Sequence, residues 1–347
     1  MMDKKFKEKS RRSVTTSEIA RLCGVSRTTV SAVLNGKRNV RESTRSKILE
    51  CIREQNYESG MISKSLVGEL SHMVAVLATD LTNPFSMAVF RGIDQVLGGQ
   101  GYHILFHKVR HGDGGDSEML ASLRSCRSAG YIVLEGAEGR DGEYIRSILA
   151  EGVPLVALGV VQGNDCHCVR YEKRAAISLA TDYVIGCGHR RIGHLAGPAG
   201  TPGAKERQLG FVESLITHDL RVSDSIIVDA GETATEGYEA ALELLKDPAR
   251  RLSAVVCFND MVALGVYRAA HELSIEIPGD VSVTGFDGLD FTELLGPPLT
   301  TVDIHASQLG QQMAGLLLEV VRGEVGEEKM TKWVEPALVV RGSVRRL

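Results

Sequence analysis

The sequence predicts an α/β protein with a small helical head and a larger body of two doubly wound α/β subdomains. Three observations predict this class. Two short helical patterns surround a single glycine near the N-terminus, apolar strand-like runs alternate with helical segments from residue 73 onward, and these runs form two sets. At 347 residues the chain is longer than an ordinary single domain and can bury a sizeable core.

Composition places the chain among globular proteins. Its residues are 43% hydrophobic and only 5% aromatic, which fits an α/β protein better than a β-sandwich. No apolar run reaches the ~20 residues that cross a bilayer, and the N-terminal MMDKKFKEKSRR is charged, with no apolar segment behind it. We therefore expect a cytoplasmic protein that contacts no membrane. The seven scattered cysteines predict reduced thiols rather than a disulfide framework.

The charge is unevenly distributed along the chain. Residues 1–68 carry 15 Lys and Arg against 7 Asp and Glu, a net of +8, whereas the remaining residues carry 25 against 37, a net of −12. A basic module on an acidic body indicates that one end meets a polyanion. A solvated basic tail is the alternative, and charge alone does not separate the two.

The stretch VTTSEIARLCGVS, residues 14–26, predicts a helix followed by a tight turn. Thr15 or Thr16 can cap a helix with a spaced apolar face. Gly24 is free to take the positive φ that the turn needs. The inward-facing residues of this helix are predicted to be Ile19, Ala20 and Leu22.

A second helix is predicted over Arg27 to Leu34, with Ser26 as its cap. Its inner positions are Val30, Val33 and Leu34. A third helix follows in ESTRSKILECIREQNY, with Ile48, Leu49 and Ile52 packing inward. Helix, short turn and helix make a helix-turn-helix unit, and the three helices together form the head.

The outer face of the second helix is polar near its N-terminus. Arg27, Thr28 and Ser31 lie on this face. Their side chains can donate to base edges and phosphates, and the amide dipoles of a helix N-terminus favour the same anionic partner. The polar face therefore indicates contact with double-stranded DNA.

The body alternates strand-like and helical segments. The apolar runs are MVAVLAT, YHILFHKV, GYIVLEG, PLVALG, IGHLAG, SIIVDA, SAVVCF and VSVTGFD. Continuous apolar runs are typical of parallel strands covered on both faces, and the helical segments between them complete a doubly wound fold. A helix at 305–322 and a last strand in ALVVRGS end the chain.

Over the head residues and on to its end, the chain resembles the lactose-repressor (LacI/GalR) family of bacterial transcription regulators. The resemblance implies a basic tail at 1–13, a helix-turn-helix domain at 14–57, a hinge at 58–70 and an effector-binding, dimerising core at 71–347. This core is periplasmic-binding-protein-like. Its first subdomain is expected at about 71–171 and 304–332, and its second at about 172–303 and 333–347.

The body motifs that match the family are NPF, GHRRIGHLAGP, ERQLGF, FNDMVALG, IPGDVSVTGFD and PPLTTV. Through them the resemblance implies that Arg207 projects into a cleft between the lobes, with Asn259 and Asp287 across from it and Phe85 also at the effector site. A guanidinium fork opposite a carboxylate suits a sugar or polyol. A surface salt bridge for Arg207 and a turn role for Asp287 are the local alternatives. Asp260 is expected to cap the helix that starts at Met261.

The same resemblance implies the residues that contact DNA: Thr16, Ser26, Arg27, Thr28, Ser31, Asn35, Tyr57, Ser63 and Leu66. Arg27 and Thr28 are expected to contact bases, and Asn35 and Tyr57 the backbone. In the hinge, SGMISKSLVGEL, the wedge that enters the minor groove is expected to be Leu66. A plain linker is the alternative for this hinge, because Gly60 and Ser63 lower helix propensity.

The chain departs from the family at several places. Arg41 occupies the cap position of the third helix, although its side chain cannot accept from amides. Atypical residues at ligand positions include Ser86, Gly159, YEKRA at 171–175 and DIHA at 303–306. The sequence therefore names no effector.

Other classes of protein are less well supported. GPAGTPGAK lacks the Gly-Lys-Ser/Thr ending of a phosphate loop, which a sugar kinase fused to a DNA-binding head would need. CHC at 166–168 with CGH at 187–189 fits no zinc template. A periplasmic solute carrier conflicts with the basic head. We expect no enzyme activity, no metal and no cofactor.

The sequence thus predicts a ligand-responsive transcription regulator that binds a pseudo-palindromic operator as a homodimer. A repressor is favoured. The chain stops at VVRGSVRRL without a coiled-coil extension, which favours a dimer over a tetramer. The expected effector is a small sugar or polyol-like molecule. A co-repressor-dependent regulator of nucleobase type is the alternative.

Overall fold

The computed structural model describes residues 15–34, 40–55, 72–109, 121, 123, 125–134, 142–160, 166–247, 252–326 and 328–347. The chain divides into two compact units, Met1–Ser71 and His72–Leu347, which we call the head and the body. Each unit is described by itself below.

The head contains three helices: α1 (Thr16–Cys23), α2 (Arg27–Leu34) and α3 (Glu42–Glu54). Thr15 caps α1, since its Oγ1 accepts from the Glu18 amide at 3.3 Å, and Ser26 Oγ accepts from the Thr29 amide at 3.1 Å at the start of α2. Gly24 ends α1 in the left-handed conformation, with φ 67°. Arg41 precedes α3 without a capping hydrogen bond from its side chain. The predicted caps and turn of the helix-turn-helix are therefore confirmed.

The core of the head is formed by Ile19, Ala20, Cys23, Val30, Val33 and Ile48. Two predicted core positions were wrong, because Leu22 is 48% exposed and Leu49 is 39% exposed. At 100° per residue the buried face of α1 runs through 19, 20 and 23, and that of α3 through 48 and 52, so 22 and 49 point outward.

The body is built on twelve strands: β1 (Met73–Ala78), β2 (His103–Lys108), β3 (Gly130–Val133), β4 (Leu155–Leu158), β5 (His167–Arg170), β6 (Ile192–Ala196), β7 (Ile226–Asp229), β8 (Ala254–Cys257), β9 (Ser282–Asp287), β10 (Thr300–Asp303), β11 (Thr331–Trp333) and β12 (Ala337–Val339). Its helices are α4 (Pro84–Gly99), α5 (Gly142–Ala150), α6 (Lys173–Gly186), α7 (Pro202–Thr217), α8 (Ala234–Leu245), α9 (Asp260–Glu272) and α10 (Ala306–Val321), with short 3₁₀ helices at Val222–Asp224 and Asp290–Leu294.

These strands form two six-stranded sheets. One has the order β11-β5-β4-β3-β1-β2 and is parallel throughout, and the other has the order β12-β10-β9-β8-β6-β7, in which only β12 is antiparallel. We call the parts of the body built on these sheets the first lobe and the second lobe. The chain passes from the first sheet to the second after β5, and α10 then follows β10 back to pack against β3, β4 and β5. The predicted doubly wound α/β class is confirmed.

The burial of a strand explains whether it could be predicted from the sequence. The inner strands β1, β3, β6 and β8 are almost wholly buried, and each lies in a predicted apolar run. Three strands were not predicted: β5, β10 and β11. They are only three or four residues long and contain polar side chains such as His167, Arg170 and Lys332, so they carry no continuous apolar signal.

Two glycines bring α4 and α10 close together in the first lobe. A side chain at Gly92 would collide with the Ser307 carbonyl, and one at Gly310 would collide with the Val89 carbonyl. The two helix backbones are therefore in direct contact. Among the described residues, no helix is long and apolar enough to cross a membrane.

Candidate DNA interface and effector site

The first candidate surface is the N-terminal turn of α2 in the head. Ser26, Arg27 and Thr28 are exposed there, and Ser31 is half-buried one turn later. Ser26 Oγ lies 2.6 Å from Thr28 Oγ1, so these hydroxyls form a small polar cluster around the helix cap. A guanidinium beside exposed hydroxyls at a helix N-terminus can donate to both base edges and phosphates.

The remaining predicted DNA contacts divide into two groups. Thr16 is half-buried in the first turn of α1, directly after the cap. Asn35, Tyr57, Ser63 and Leu66 lie outside the described residues, as do the predicted tail at 1–13 and hinge at 58–70. Their roles stay predictions from the sequence.

The second candidate site centres on Arg207 of α7, which is 8% exposed. Its Nη1 donates to the Phe258 carbonyl at 2.5 Å, and its Nη2 donates to the Tyr171 hydroxyl at 3.2 Å. The same Nη2 lies 3.8 Å from Oδ1 of Asp287. Arg207 thus links the residue after β5 of the first lobe to the ends of β8 and β9 in the second.

Two phenyl rings fix the plane of the Arg207 guanidinium. Its Cζ lies 3.9 Å from the ring centroid of Phe286 and 4.3 Å from that of Phe258. Both distances are within the range of a cation–π contact, which strengthens when the cation is removed from water. The Nε of Arg207 is buried and has no hydrogen-bond partner among the described residues, so a ligand or an ordered water can accept from it.

Asp287 ends β9 at the carboxyl edge of the second sheet. It is 5% exposed and has φ 114°, a conformation that a residue with a Cβ rarely adopts, and Gly288 follows with φ 76°. The expectation that Arg207 and Asp287 face each other across the lobes was wrong, because α7 and β9 both belong to the second lobe. Their geometry is that of a buried ion pair inside one lobe.

Asn259 is the N-cap of α9. Its Oδ1 accepts from the Val262 amide at 2.8 Å, and its Nδ2 donates to the Glu232 carbonyl at 2.9 Å. The expectation that Asp260 caps this helix was therefore wrong. Asp260 is instead the first helical residue, and its carboxylate is buried. An Asn beside an Asp gives two possible caps, and here Asn259 has the extended backbone of the cap residue.

Phe85 lies in the first lobe, in the first turn of α4. Asn83 caps this helix and accepts from the Phe85 amide at 2.9 Å. The phenyl ring is half-buried and packs against the larger hydrophobic core of the body. Its position after the carboxyl end of β1 corresponds to the edge where α/β proteins bind ligands.

His194 lies on β6, beneath the Arg207 helix. Its ring stacks on Phe211 with centroids 4.8 Å apart, and its Nδ1 faces the Val256 carbonyl at 2.9 Å. Complete burial, together with the nearby charge of Arg207, lowers the pKa of His194 to about 4, although the hydrogen bond to the Val256 carbonyl acts in the opposite direction. His194 is therefore neutral at physiological pH, and Arg207 meets no second cation there.

The sequence did not identify four residues around Arg207: Tyr171, His194, Phe258 and Phe286. Two of them are directly adjacent to predicted site residues, since Phe258 precedes Asn259 and Phe286 precedes Asp287. An aromatic residue next to a polar one at the carboxyl end of a parallel strand was the available signal. Tyr171 is the first residue of the atypical YEKRA segment.

The cysteine and histidine motifs make other contacts. Cys168 lies in β5 with its Sγ 3.3 Å from Thr331 Oγ1, and His189 Nε2 lies 3.0 Å from the Arg345 carbonyl. Within the described part of the chain, no group of three or more His, Cys, Asp or Glu side chains is arranged to hold a metal ion.

Comparison with known proteins yields two family matches. Residues 15–59 match the bacterial regulatory proteins of the lacI family, and residues 181–344 match the periplasmic binding protein-like domain. The HTH-type transcriptional regulator MalR of Streptomyces coelicolor is 33% identical over 94% of this chain and 95% of its own length. The HTH-type transcriptional repressor PurR of Photobacterium profundum is 28% identical over 96% of this chain and 99% of its own.

Solved structures of the same fold contain sugars. A LacI family regulator from Enterococcus faecium with bound ribose has a TM-score of 0.72 at 27% identity, over 79% of this chain and 99% of that chain. The regulator CelR in complex with cellobiose has a TM-score of 0.69 at 27% identity, over 95% and 99%. The lac repressor dimer bound to operator and the anti-inducer ONPF matches the fold with a TM-score of 0.84 at 23% identity, over 96% and 100%.

The head and the body therefore match regulators along nearly their full length. The relatives are transcription regulators rather than enzymes. Three findings lead to one assignment: the helix-turn-helix head, the two-lobed α/β body, and a relative that is 33% identical over 94% of the chain. This chain belongs to the LacI family of ligand-responsive, DNA-binding transcriptional regulators.

Proposed function

We propose that this regulator represses transcription by binding a pseudo-palindromic operator as a homodimer and that a sugar or polyol-like molecule switches it. The observation that carries the proposal is the buried Arg207–Asp287 pair, with Nη2 3.8 Å from Oδ1 at the carboxyl edge of the second sheet. A guanidinium supplies donors and a carboxylate supplies acceptors, and a hydroxylated ring needs both.

The surroundings of the pair support a small, hydroxylated ligand. The phenyl rings of Phe258 and Phe286 already stack on the guanidinium, and Tyr171 adds a hydroxyl. Apolar walls with a few convergent polar groups are typical of small-molecule sites. The sugars in the solved relatives, ribose and cellobiose, have this chemistry.

The switch follows from the connection that Arg207 makes. Arg207 donates to the hydroxyl of Tyr171, which directly follows β5 of the first lobe. It also donates to the carbonyl of Phe258 in the second lobe. A ligand that competes for these donors changes the relative stability of the lobe arrangements, and only a difference in affinity between the two states shifts their populations. In a dimer, that shift alters how the two heads match the half-sites of an operator.

The head supplies the other half of the function. Arg27 and Thr28 are exposed at the N-terminus of α2, where a recognition helix contacts base edges. A regulator that reads chromosomal operators acts in the cytoplasm. The predicted hinge at 58–70 would transmit the change in the body to the heads.

Effector screening tests the proposal. The full-length protein is heated with D-ribose, cellobiose, polyols and nucleobases, each in excess. A ligand at a hundred times its Kd stabilises the folded state by ~2.7 kcal/mol, which is a measurable rise in Tm. The operator is first selected from random DNA, and its binding is then measured with and without each stabilising compound.

Three outcomes are distinct. Stabilisation by a sugar or polyol together with weaker operator binding supports the proposal. Stabilisation by a nucleobase together with tighter operator binding supports the co-repressor alternative. Failure to enrich any two-fold symmetric DNA sequence contradicts the proposed operator. Light scattering of the free protein and of the complex tests the homodimer.

A further inference from the structure

Asp260 is a fully buried carboxylate that the site described so far does not use. It is the first residue of α9, and Asn259 performs the capping role beside it. A buried ionisable group with no capping role is costly unless other groups donate to it. The partners of Asp260 therefore indicate what it does.

Both oxygens of Asp260 accept hydrogen bonds from distant segments. Oδ2 accepts from the Leu289 amide at 2.8 Å, and Oδ1 accepts from Thr301 Oγ1 at 2.5 Å. Gly285 of β9 lies directly against Oδ1, where any side chain would collide with the carboxylate. The carboxylate thus fills the space beneath the end of β9 and binds the backbone that follows it.

The segment that Asp260 binds is the one that carries Asp287. Asp287 and Gly288 have φ values of 114° and 76°, and Leu289 is the next residue. Residues in sparsely populated backbone regions persist only where the surrounding structure holds them. The hydrogen bond from the Leu289 amide to Asp260 holds this turn in place. The Asp287 carboxylate of the same turn lies 3.8 Å from Arg207.

We propose that Asp260 is a positioning residue of the effector site, whose carboxylate holds the 287–289 turn and so directs Asp287 toward Arg207. The inference rests on the proposed function only for the statement that the pair binds effector. The positioning itself rests on the contacts of Asp260 with Leu289, Thr301 and Gly285.

Protonation of Asp260 should make the positioning of the 287–289 turn depend on pH. A residue that only fills space would show no such dependence. Burial raises the pKa of Asp260 to about 7, although hydrogen bonds from Thr301 and from the Leu289, Gly288 and Phe286 amides lower it. Below that pH the group is a neutral acid, so the hydrogen bond from the Leu289 amide is no longer charge-assisted and weakens. Nearby titratable groups are Cys257, whose pKa burial raises, Asp287, and the Asp303–His305 pair beside Gly288.

Hydrogen exchange of the full-length protein tests the proposal without any effector. The protection factor of the Leu289 amide is measured between pH 6 and pH 8 in wild type, Asp260→Asn and Asp280→Asn. Asp280 is the matched control, because its Oδ2 accepts from the Glu276 amide at 2.8 Å in an exposed loop away from the site. In wild type we expect protection to fall about tenfold as the pH is lowered through 7.

The variants separate positioning from general stability. Asp260→Asn should lose protection at Leu289 at both pH values, and Asp280→Asn should behave as wild type. Thr301→Val removes a donor that lowers the pKa of Asp260, so the midpoint of the wild-type transition should move to higher pH. Unchanged Leu289 protection in Asp260→Asn, or a wild-type profile that is flat between pH 6 and pH 8, would overturn the proposal.

A titration with D-ribose forms the second arm. We expect Asp260→Asn to weaken D-ribose binding at least tenfold and Asp280→Asn to leave it unchanged. If D-ribose binds none of the proteins, that result counts against ribose as the effector, and the exchange arm still decides the role of Asp260. If Asp260→Asn fails to fold, the wild-type and Thr301→Val pH profiles decide it.

Discussion

Arg207 and Asp287 form an ion pair inside the second lobe, with 3.8 Å between Nη2 and Oδ1 and with side chains that are only 10% and 6% exposed. Removing water from such a pair makes each remaining hydrogen bond stronger and each missing one more costly. If the pair binds the effector as proposed, a polar ligand that completes the missing bonds gains affinity there.

Arg207→Ala should weaken effector binding ten- to a hundred-fold. The change removes charge-assisted donors, each worth about 1.5–3 kcal/mol. The base preference of the head should stay the same, because Arg207 is not in the head. The measurement is operator binding titrated with the compound found by screening. Arg174→Ala is the control, since Arg174 pairs with Glu206 and Glu213 on a more exposed surface of the same lobe. An unchanged effector midpoint in Arg207→Ala would remove Arg207 from the site.

Arg27→Ala should relax the choice of base at one or two operator positions. A side chain that contacts base edges contributes about 1–3 kcal/mol of discrimination, whereas one that contacts phosphate weakens all sequences alike. The measurement is selection of binding sites from random DNA by wild type and variant. Arg21→Ala removes the same charge from α1 of the head and should keep the wild-type consensus. The same consensus with Arg27→Ala would show that Arg27 does not read bases.

Leu66→Ala should reduce operator binding much more than binding to random DNA. A wedge residue contributes only where the duplex is kinked, and only the specific complex is expected to kink it. Affinities for operator and for random DNA of equal length are compared at one salt concentration. Equal losses on both DNAs would indicate that the hinge is a plain tether.

His194→Phe should make the stability of the body less sensitive to acid. The pKa of His194 is lowered to about 4 in the folded protein. Between pH ~6.5 and about 4 the histidine is therefore protonated in the unfolded chain but neutral in the folded protein. The neutral folded form is thus favoured above pH ~6.5, and its stability falls as the pH drops from there to about 4. At pH 4.5 this amounts to a loss of ~2–3 kcal/mol relative to pH 7.5.

Urea unfolding at pH 7.5 and pH 4.5 measures the His194 effect. His194→Phe keeps the ring on Phe211 but loses the bond to the Val256 carbonyl, so it should be less stable at pH 7.5 and lose less on acidification. His218→Asn, which alters an exposed histidine paired with Asp182, should follow the wild-type profile. Parallel pH profiles for wild type and His194→Phe would contradict the buried, neutral histidine.

The sequence by itself determined the features that depend on neighbouring residues. Thr15 and Ser26 as caps, Gly24 as the turn and the buried strands all follow from side chains within four positions of one another. Such signals are local, because a cap bonds to an amide three residues away and a strand buried on both faces is apolar along its length. The family motifs around Arg207, Asn259 and Asp287 are also local signals, because each is a run of consecutive residues.

Only the tertiary structure decided how these motifs meet. The burial of Asp260 against Leu289 and Thr301 and the bond from Arg207 to Tyr171 join residues 29 to 41 positions apart in the chain. The short strand β5 exists because β4 and β11 lie on either side of it and satisfy its backbone. A side chain's partners across such distances depend on which strands become neighbours, and no pattern within one segment encodes that order.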